Sequence, residues 1–209
     1  MKKIVSLLLA LACVFACAFA FTSCGEPEAT EVQEKEPVYS EEAARFISAY
    51  NATTVKTISS TIKSTILGET LTATYFAEKN TDGTVKMTYA VEKLPEIDSV
   101  EDKEVVSGEA ISDANGTFTD EYAKVFGANG LGLALNTDKV KSFDASANVL
   151  RITVDAADTA AVVGADLGAD AVVTVTISNG AVTVITLSYT NATSGAVEIV
   201  CEYNKPAVA

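Results

Sequence analysis

Apolar and polar residues alternate with a period of two over most of the chain from Thr57 to Tyr203, the pattern of strands that bury one face. Ile58, Ile62 and Ile66 share one face of a first strand beginning at Thr57. Residues 70–79 predict a second strand carrying Leu71, Ala73, Tyr75 and Ala77. Asn80-Thr81-Asp82-Gly83 then turns the chain into a third strand, bearing Val85, Met87, Tyr89 and Val91. These three strands make an antiparallel meander. Residues 105–112 and 117–122 predict a hairpin around Asp113-Ala114-Asn115-Gly116, and residues 139–144 and 149–155 predict another. Strands at 171–177, 181–190 and 196–203 close the chain.

The turn at Ser178-Asn179-Gly180 poses a question of register. A two-residue Asn-Gly loop pairs Ile177 with Val182 and leaves Ile185, Leu187 and Tyr189 opposite threonines. A three-residue loop with Gly180 in the left-handed conformation joins the two apolar sets instead, and is the expected arrangement.

Helical spacing appears in three places. Ser40 suits an N-cap with Glu41 and Glu42 in the first turn, and Ala43, Ala44, Ile47 and Tyr50 form the expected apolar stripe. Residues 123–136 combine apolar positions with Gly127, Gly130 and Gly132, which predicts a short helix or packed loop. A further helix is expected over 156–167, ending near Gly168. The fold class is therefore α+β: an antiparallel sheet of about eight or nine strands, with an N-terminal helix and one or two others packed on one face.

Composition fits this picture. Hydrophobic residues make up 48% of the chain but aromatic residues only 7%, with no Trp, so Val, Ile, Leu and Ala must fill the core.

The N-terminus has a different pattern. Lys2 and Lys3 precede a stretch from Ile4 to Phe21 that is apolar apart from Ser6, and the composition then turns abruptly to Gly25-Glu26-Pro27-Glu28. That is the layout of a secretion signal. Phe21-Thr22-Ser23-Cys24 resembles the bacterial lipobox, with Phe21 where Leu is usual. The resemblance implies cleavage before Cys24 and a diacylglyceryl group on its sulfur. Cys13 follows too short an apolar run, and cleavage before Cys17 would leave Ala18 to Phe21 exposed. Two acyl chains anchor stably where one binds only marginally.

The expected organisation is a signal over 1–23, a lipidated Cys24 with an acidic tether over 24–39, and one domain over 40–209. Glu26, Glu28, Glu31, Glu34 and Glu36, with Pro27 and Pro37, cannot build a core. At full extension such a tether reaches roughly 50 Å. The localisation that follows is export, with the domain on the extracytoplasmic side of a bacterial membrane and the membrane as partner through Cys24. With Cys13 and Cys17 removed and Cys24 lipidated, Cys201 is left alone. It shares a strand face with Val197, Ile199 and Tyr203, as a small buried apolar residue would.

The order of helix, antiparallel strands, helix and three closing strands behind a lipobox resembles the half-barrel lipoproteins of the LolA, LolB and LppX types, over about residues 40–204. The resemblance implies a curved sheet that cups helices and holds acyl chains between them. Ile58, Ile62, Val85, Met87, Ile185 and Leu187 would line such a cavity.

Catalytic designs find little support. The chain has no His, which removes imidazole triads and metal sites, and a lone core thiol removes zinc-thiolate clusters and redox pairs. Ser60-Thr61-Ile62-Lys63 matches the S-x-x-K motif, but in a strand Ser60 and Lys63 point to opposite faces. Glu96, Asp98, Glu101, Asp102 and Glu104 crowd one loop without the spacing of a calcium-binding loop. Asp155, Asp158, Asp166 and Asp170 read as caps and turn formers. Gly127-Ala128-Asn129-Gly130-Leu131-Gly132 lacks the strand-then-helix setting of a nucleotide fingerprint.

The formal charge is −13, and loss of Lys2 and Lys3 with the signal leaves 13 basic against 28 acidic residues, or −15. After Arg151 the sole basic residue is Lys205. Such a field repels phosphate backbones and anionic headgroups, so nucleic acid is a poor partner and the domain should stand off the membrane. Surface solubility is the simpler and preferred meaning of the charge. The expectation is a non-catalytic binding module, without cofactor or metal, for a lipid or other apolar or amphipathic ligand. The alternative is an envelope protein that meets another protein and has no cavity.

Overall fold

The computed structural model describes residues 41–66, 68–93, 103–126, 135–140, 143–192 and 195–205. The signal, Cys24, the tether and Ser40 lie outside these residues, as do Glu96, Asp98, Glu101, Asp102 and the segment holding Gly127, Gly130 and Gly132.

Helix α1 (Glu41–Ala52) leads into β1 (Thr57–Ile66), β2 (Glu69–Lys79), β3 (Val85–Lys93) and β4 (Glu104–Ile111). After a long connection come β5 (Asp144–Ser146), β6 (Val149–Val154), helix α2 (Thr159–Val163), β7 (Ala171–Ser178), β8 (Ala181–Asn191) and β9 (Gly195–Tyr203). The strands form one open, curved antiparallel sheet in the order β4-β3-β2-β1-β9-β8-β7-β6-β5, and the expected α+β, half-barrel-like class holds.

Two meanders, β1 to β4 and β5 to β9, meet where the first strand pairs with the last. β4 and β5 therefore stand at opposite edges of the sheet. At about 4.8 Å per strand, the chain must cross roughly 38 Å of sheet between them if the sheet were flat. Among the described residues of this crossing, Phe118, Ala123, Leu135 and Val140 are all buried in the core. Two 3-10 turns, Ala123–Phe126 and Thr137–Lys139, punctuate it.

Residues from all nine strands line up across the inner face. One transverse row runs Gly108, Tyr89, Tyr75, Ser60, Cys201, Ile185, Val175, Leu150 and Ala145. The next runs Val106, Val91, Ala73, Ile62, Ile199, Leu187, Val173 and Ile152. The opposite face is rich in threonine and serine, as the period of two requires. Cys201 is a buried free thiol 3.6 Å from the Ser60 hydroxyl.

Five local expectations need correction. The strand expected over 139–144 is instead the short β5, Asp144–Ser146, preceded by the 3-10 turn that ends at Lys139. Helix α1 buries Phe46 and Ala49, with Tyr50 half-buried, whereas Ala44 is exposed. Its buried stripe is set by where β7 and β8 lie beneath it, which a helical wheel alone does not reveal. Residues 117–122 form no strand. Asp113 accepts hydrogen bonds from the N–H groups of Asn115 and Thr117, each 2.9 Å, and Asp120 accepts those of Tyr122 and Ala123, both 3.0 Å. These local bonds turn the backbone inward, and Phe118 is buried.

The helix expected over 156–167 is a 3-10 turn, Ala156–Asp158, followed by the single turn of α2. Gly164 (φ 75°) ends it in the left-handed conformation, four residues before Gly168. The Thr159 hydroxyl, donating to Ala156 O and accepting from Leu167 N, folds the following segment back. Of the four aspartates there, Asp166 and Asp170 accept the N–H groups of Gly168 and Ala156, while Asp155 and Asp158 make no side-chain cap bond.

At the β7–β8 turn the loop has two residues: Asn179 (φ 53°) and Gly180 (φ 76°) are both left-handed, and Ile177 faces Val182. A bulge at Thr183 then shifts the register, so that Thr176 faces Val184 and Val175 faces Ile185. The apolar sets meet as expected, through an extra residue in the strand instead of in the loop.

Candidate functional site

The six residues expected to line a cavity lie on the inner face of β3, β1 and β8, with β2 and β9 between them. Ile58, Met87, Ile185 and Leu187 are 0% exposed, Val85 2% and Ile62 6%, all within one core cluster. Alternation on the strands puts them there, since each is separated by an even number of residues from its neighbours on the same strand. Val85 is fixed at the end of β3, where its N–H donates to the Ser112 hydroxyl at 2.9 Å and its carbonyl accepts the Ser112 N–H at 3.0 Å.

The cover over this face has two parts. Helix α1 lies against β5, β7 and β8, and its last turn is tied to the sheet by Thr53, whose hydroxyl donates to Ala49 O at 2.6 Å and accepts from Val182 N at 3.1 Å. The Tyr50 hydroxyl accepts the N–H of Leu135 at 2.8 Å, joining helix and crossing connection. Burial raises the Tyr50 pKa despite the opposing effect of that hydrogen bond. Asn136 N–H donates to Val162 O, so the connection also docks on α2.

Over β2, β3 and β4 the face carries a tyrosine cluster that the periodicity does not single out. Tyr75 and Tyr89 have ring centroids 6.5 Å apart, and Tyr89 and Tyr122 5.5 Å. The Tyr89 hydroxyl donates to Asp120 at 3.1 Å. Beneath it lies Gly108: a Cβ there would sit 2.4 Å from the Tyr89 hydroxyl oxygen and 2.6 Å from Cζ. The glycine in β4 is thus the seat of the Tyr89 ring, and a glycine directly opposite a tyrosine is the signal that could have found it. The Lys93 ammonium stands 5.0 Å from the Tyr122 ring centroid.

Three groups of the cluster, Tyr75, Tyr89 and Lys93, have raised pKa values. Burial raises the pKa of Tyr75, with Tyr89 and Asp120 adding to it. Tyr89 shifts upward by desolvation and by its bond to the Asp120 carboxylate. The hydrogen bond with Tyr122 raises the Lys93 pKa against the lowering effect of burial. Tyr75 and Tyr89 therefore keep their protons near neutral pH, which suits packing and hydrogen bonding better than proton transfer.

Ser60 and Lys63 lie on opposite faces, Ser60 buried and Lys63 exposed, so the S-x-x-K pair is not assembled. Among the described residues no group of three or more His, Cys, Asp or Glu could hold a metal ion. Among the same residues no helix is long and apolar enough to cross a membrane.

The fold thus defines an α+β protein whose curved antiparallel sheet carries a continuous apolar face beneath two helices and a crossing connection. No protein-family model matches the chain, and no curated protein matches it. Among solved structures it is similar to LprF from Mycobacterium bovis, at 13% identity and a TM-score of 0.40, over 80% of this chain and 95% of that one. A redesigned beta barrel is similar at 7% identity and a TM-score of 0.22, over 78% of this chain and 96% of the other. Likenesses this distant carry no functional meaning.

Proposed function

We propose that this chain is an exported lipoprotein, held at a membrane by a diacylglyceryl group on Cys24, whose domain is a non-catalytic binding module for an apolar or amphipathic ligand. The observation that carries the reading is the cover of the apolar face. Among the described residues, the crossing connection between β4 and β5 contributes two 3-10 turns and the buried side chains Phe118, Ala123, Leu135 and Val140 to the cover of that face. Side-chain hydrogen bonds from the Leu135 N–H to Tyr50 and from Tyr89 to Asp120 join it to the helix and the sheet. A ligand would enter by displacing it from Ile58, Ile62, Val85, Met87, Ile185 and Leu187.

Native mass spectrometry of the processed protein, extracted from its membrane in mild detergent, tests this. The expected result is a lipid bound without a covalent link, in addition to the anchor on Cys24, and lost when Leu187 or Ile185 is replaced by Asp. Protein that carries the anchor and no second lipid refutes the binding module. A second reading, an envelope protein that acts through its surface, is favoured by Val105 and Ile111, the large apolar side chains that remain exposed among the described residues.

A further inference from the structure

The two edges of the sheet are treated differently. At one edge β5 is three residues long, and the carbonyl of Ala147 just beyond it accepts a hydrogen bond from the Arg45 guanidinium. At the other, β4 runs for eight residues, and it is the terminal strand of the described sheet. Its side chains on the outer face include Val105, 57% exposed, and Ile111, 65% exposed. Long strands with apolar side chains at an unpaired edge are what soluble proteins avoid unless something pairs with them.

Hydrogen-bond parity fixes which backbone groups are free to pair. The Ser112 N–H donates to Val85 O at 3.0 Å, so the residues in phase with it, Ala110, Gly108 and Val106, direct N–H and C=O toward β3. Val105, Ser107, Glu109 and Ile111 direct theirs away from the sheet.

We propose that β4 is the interface of a homodimer in which two copies pair this strand antiparallel, about a two-fold axis through Gly108, to make one continuous sheet. In that register Val105 faces Ile111 of the other copy, and Ser107 faces Glu109, in both directions. All four residues with outward backbone groups form hydrogen-bonded pairs. Each exposed apolar side chain is covered by the other, on one face of the joined sheet. No carboxylate stands directly opposite another. The two Glu109 side chains fall on a diagonal, and each carries its own Lys86 at 3.5 Å. Gly108 meets Gly108, where strands approach most closely. A second copy fits better than a foreign strand because the sequence is complementary to itself in this register.

Crosslinking between two differently tagged full-length copies expressed together tests the register. With Val105→Cys on one copy and Ile111→Cys on the other, a short bismaleimide should join them, whereas either variant paired with itself should not. The Ser107→Pro substitution should abolish the link. It removes an outward N–H from each copy and leaves the bonds to β3 in place, so a fall in crosslink yield of about tenfold or more is expected while the fold persists by circular dichroism. Light scattering of the purified protein should give twice the mass of one chain. A single-chain mass, a link between identical variants, or a link from either cysteine to a different protein would each overturn the homodimer.

Discussion

Gly108 shows how much a single position can hold in place. Because a Cβ there would overlap the Tyr89 ring, Gly108→Ala should tilt that ring off its seat and break the bond to Asp120, destabilising the protein by about 1–3 kcal/mol in urea unfolding. The Tyr89→Leu substitution made on top of it should cost less than it does alone, since the clash is then gone. The buried phenols make a second prediction. Tyr75 and Tyr203 have pKa values raised above the ordinary 10.0, first of all by burial. The unfolded chain therefore loses these protons at lower pH than the folded one, so their contribution to stability is complete below about pH 10 and is lost as the pH rises beyond it. Absorbance at 295 nm should show a fraction of the tyrosines ionising only as near-UV circular dichroism reports unfolding, and ionisation of all seven before unfolding would contradict the burial.

At the scale of elements, the β7–β8 hairpin is the instructive case. Asn179-Gly180 sets a two-residue turn, while the need to place Ile185, Leu187 and Tyr189 inside sets the opposite phase. The bulge at Thr183 reconciles them. The β8–β9 ladder begins only at Val184, and the N–H of Val182 before it is accepted by Thr53 at the end of α1. Thr53→Val keeps the shape and removes the acceptor, leaving a donor unsatisfied between helix and sheet. The expected loss is about 1–2 kcal/mol, with faster amide exchange at Val182 as the check. The strands themselves were legible in advance, β1, β2 and β3 almost to the residue, because each buries one face and the period of two survives any packing partner. Helix α1 was legible as a helix, but its buried face, Phe46 with Ala49, was not. Residues 117–122 read as a strand because Phe118 and Tyr122 are apolar, yet Asp120 turns their backbone toward the sheet.

For the whole molecule, the anchor and the domain are separable claims. A Cys24→Ala variant should remain unprocessed, incorporate no labelled fatty acid and be insensitive to globomycin; normal maturation would refute the lipobox. The six expected lining residues illustrate both the reach and the limit of the sequence. On each strand their common face follows from alternation alone. Their joint position across β3 to β8 depends on β1 pairing with β9, a contact between residues some 140 positions apart that no local pattern encodes. The tyrosine cluster escaped for the same reason, since Tyr75, Tyr89, Gly108 and Tyr122 become neighbours only through registers and a returning loop. What the sequence determined by itself was local: strand periods, the signals for turning, the absence of imidazole, and a net charge of −13. Tertiary structure alone decided which strands stand at the edges, what crosses the apolar face, and which side of α1 is buried. These depend on contacts distant in the chain, whose energies are set by shape and register rather than by residue type.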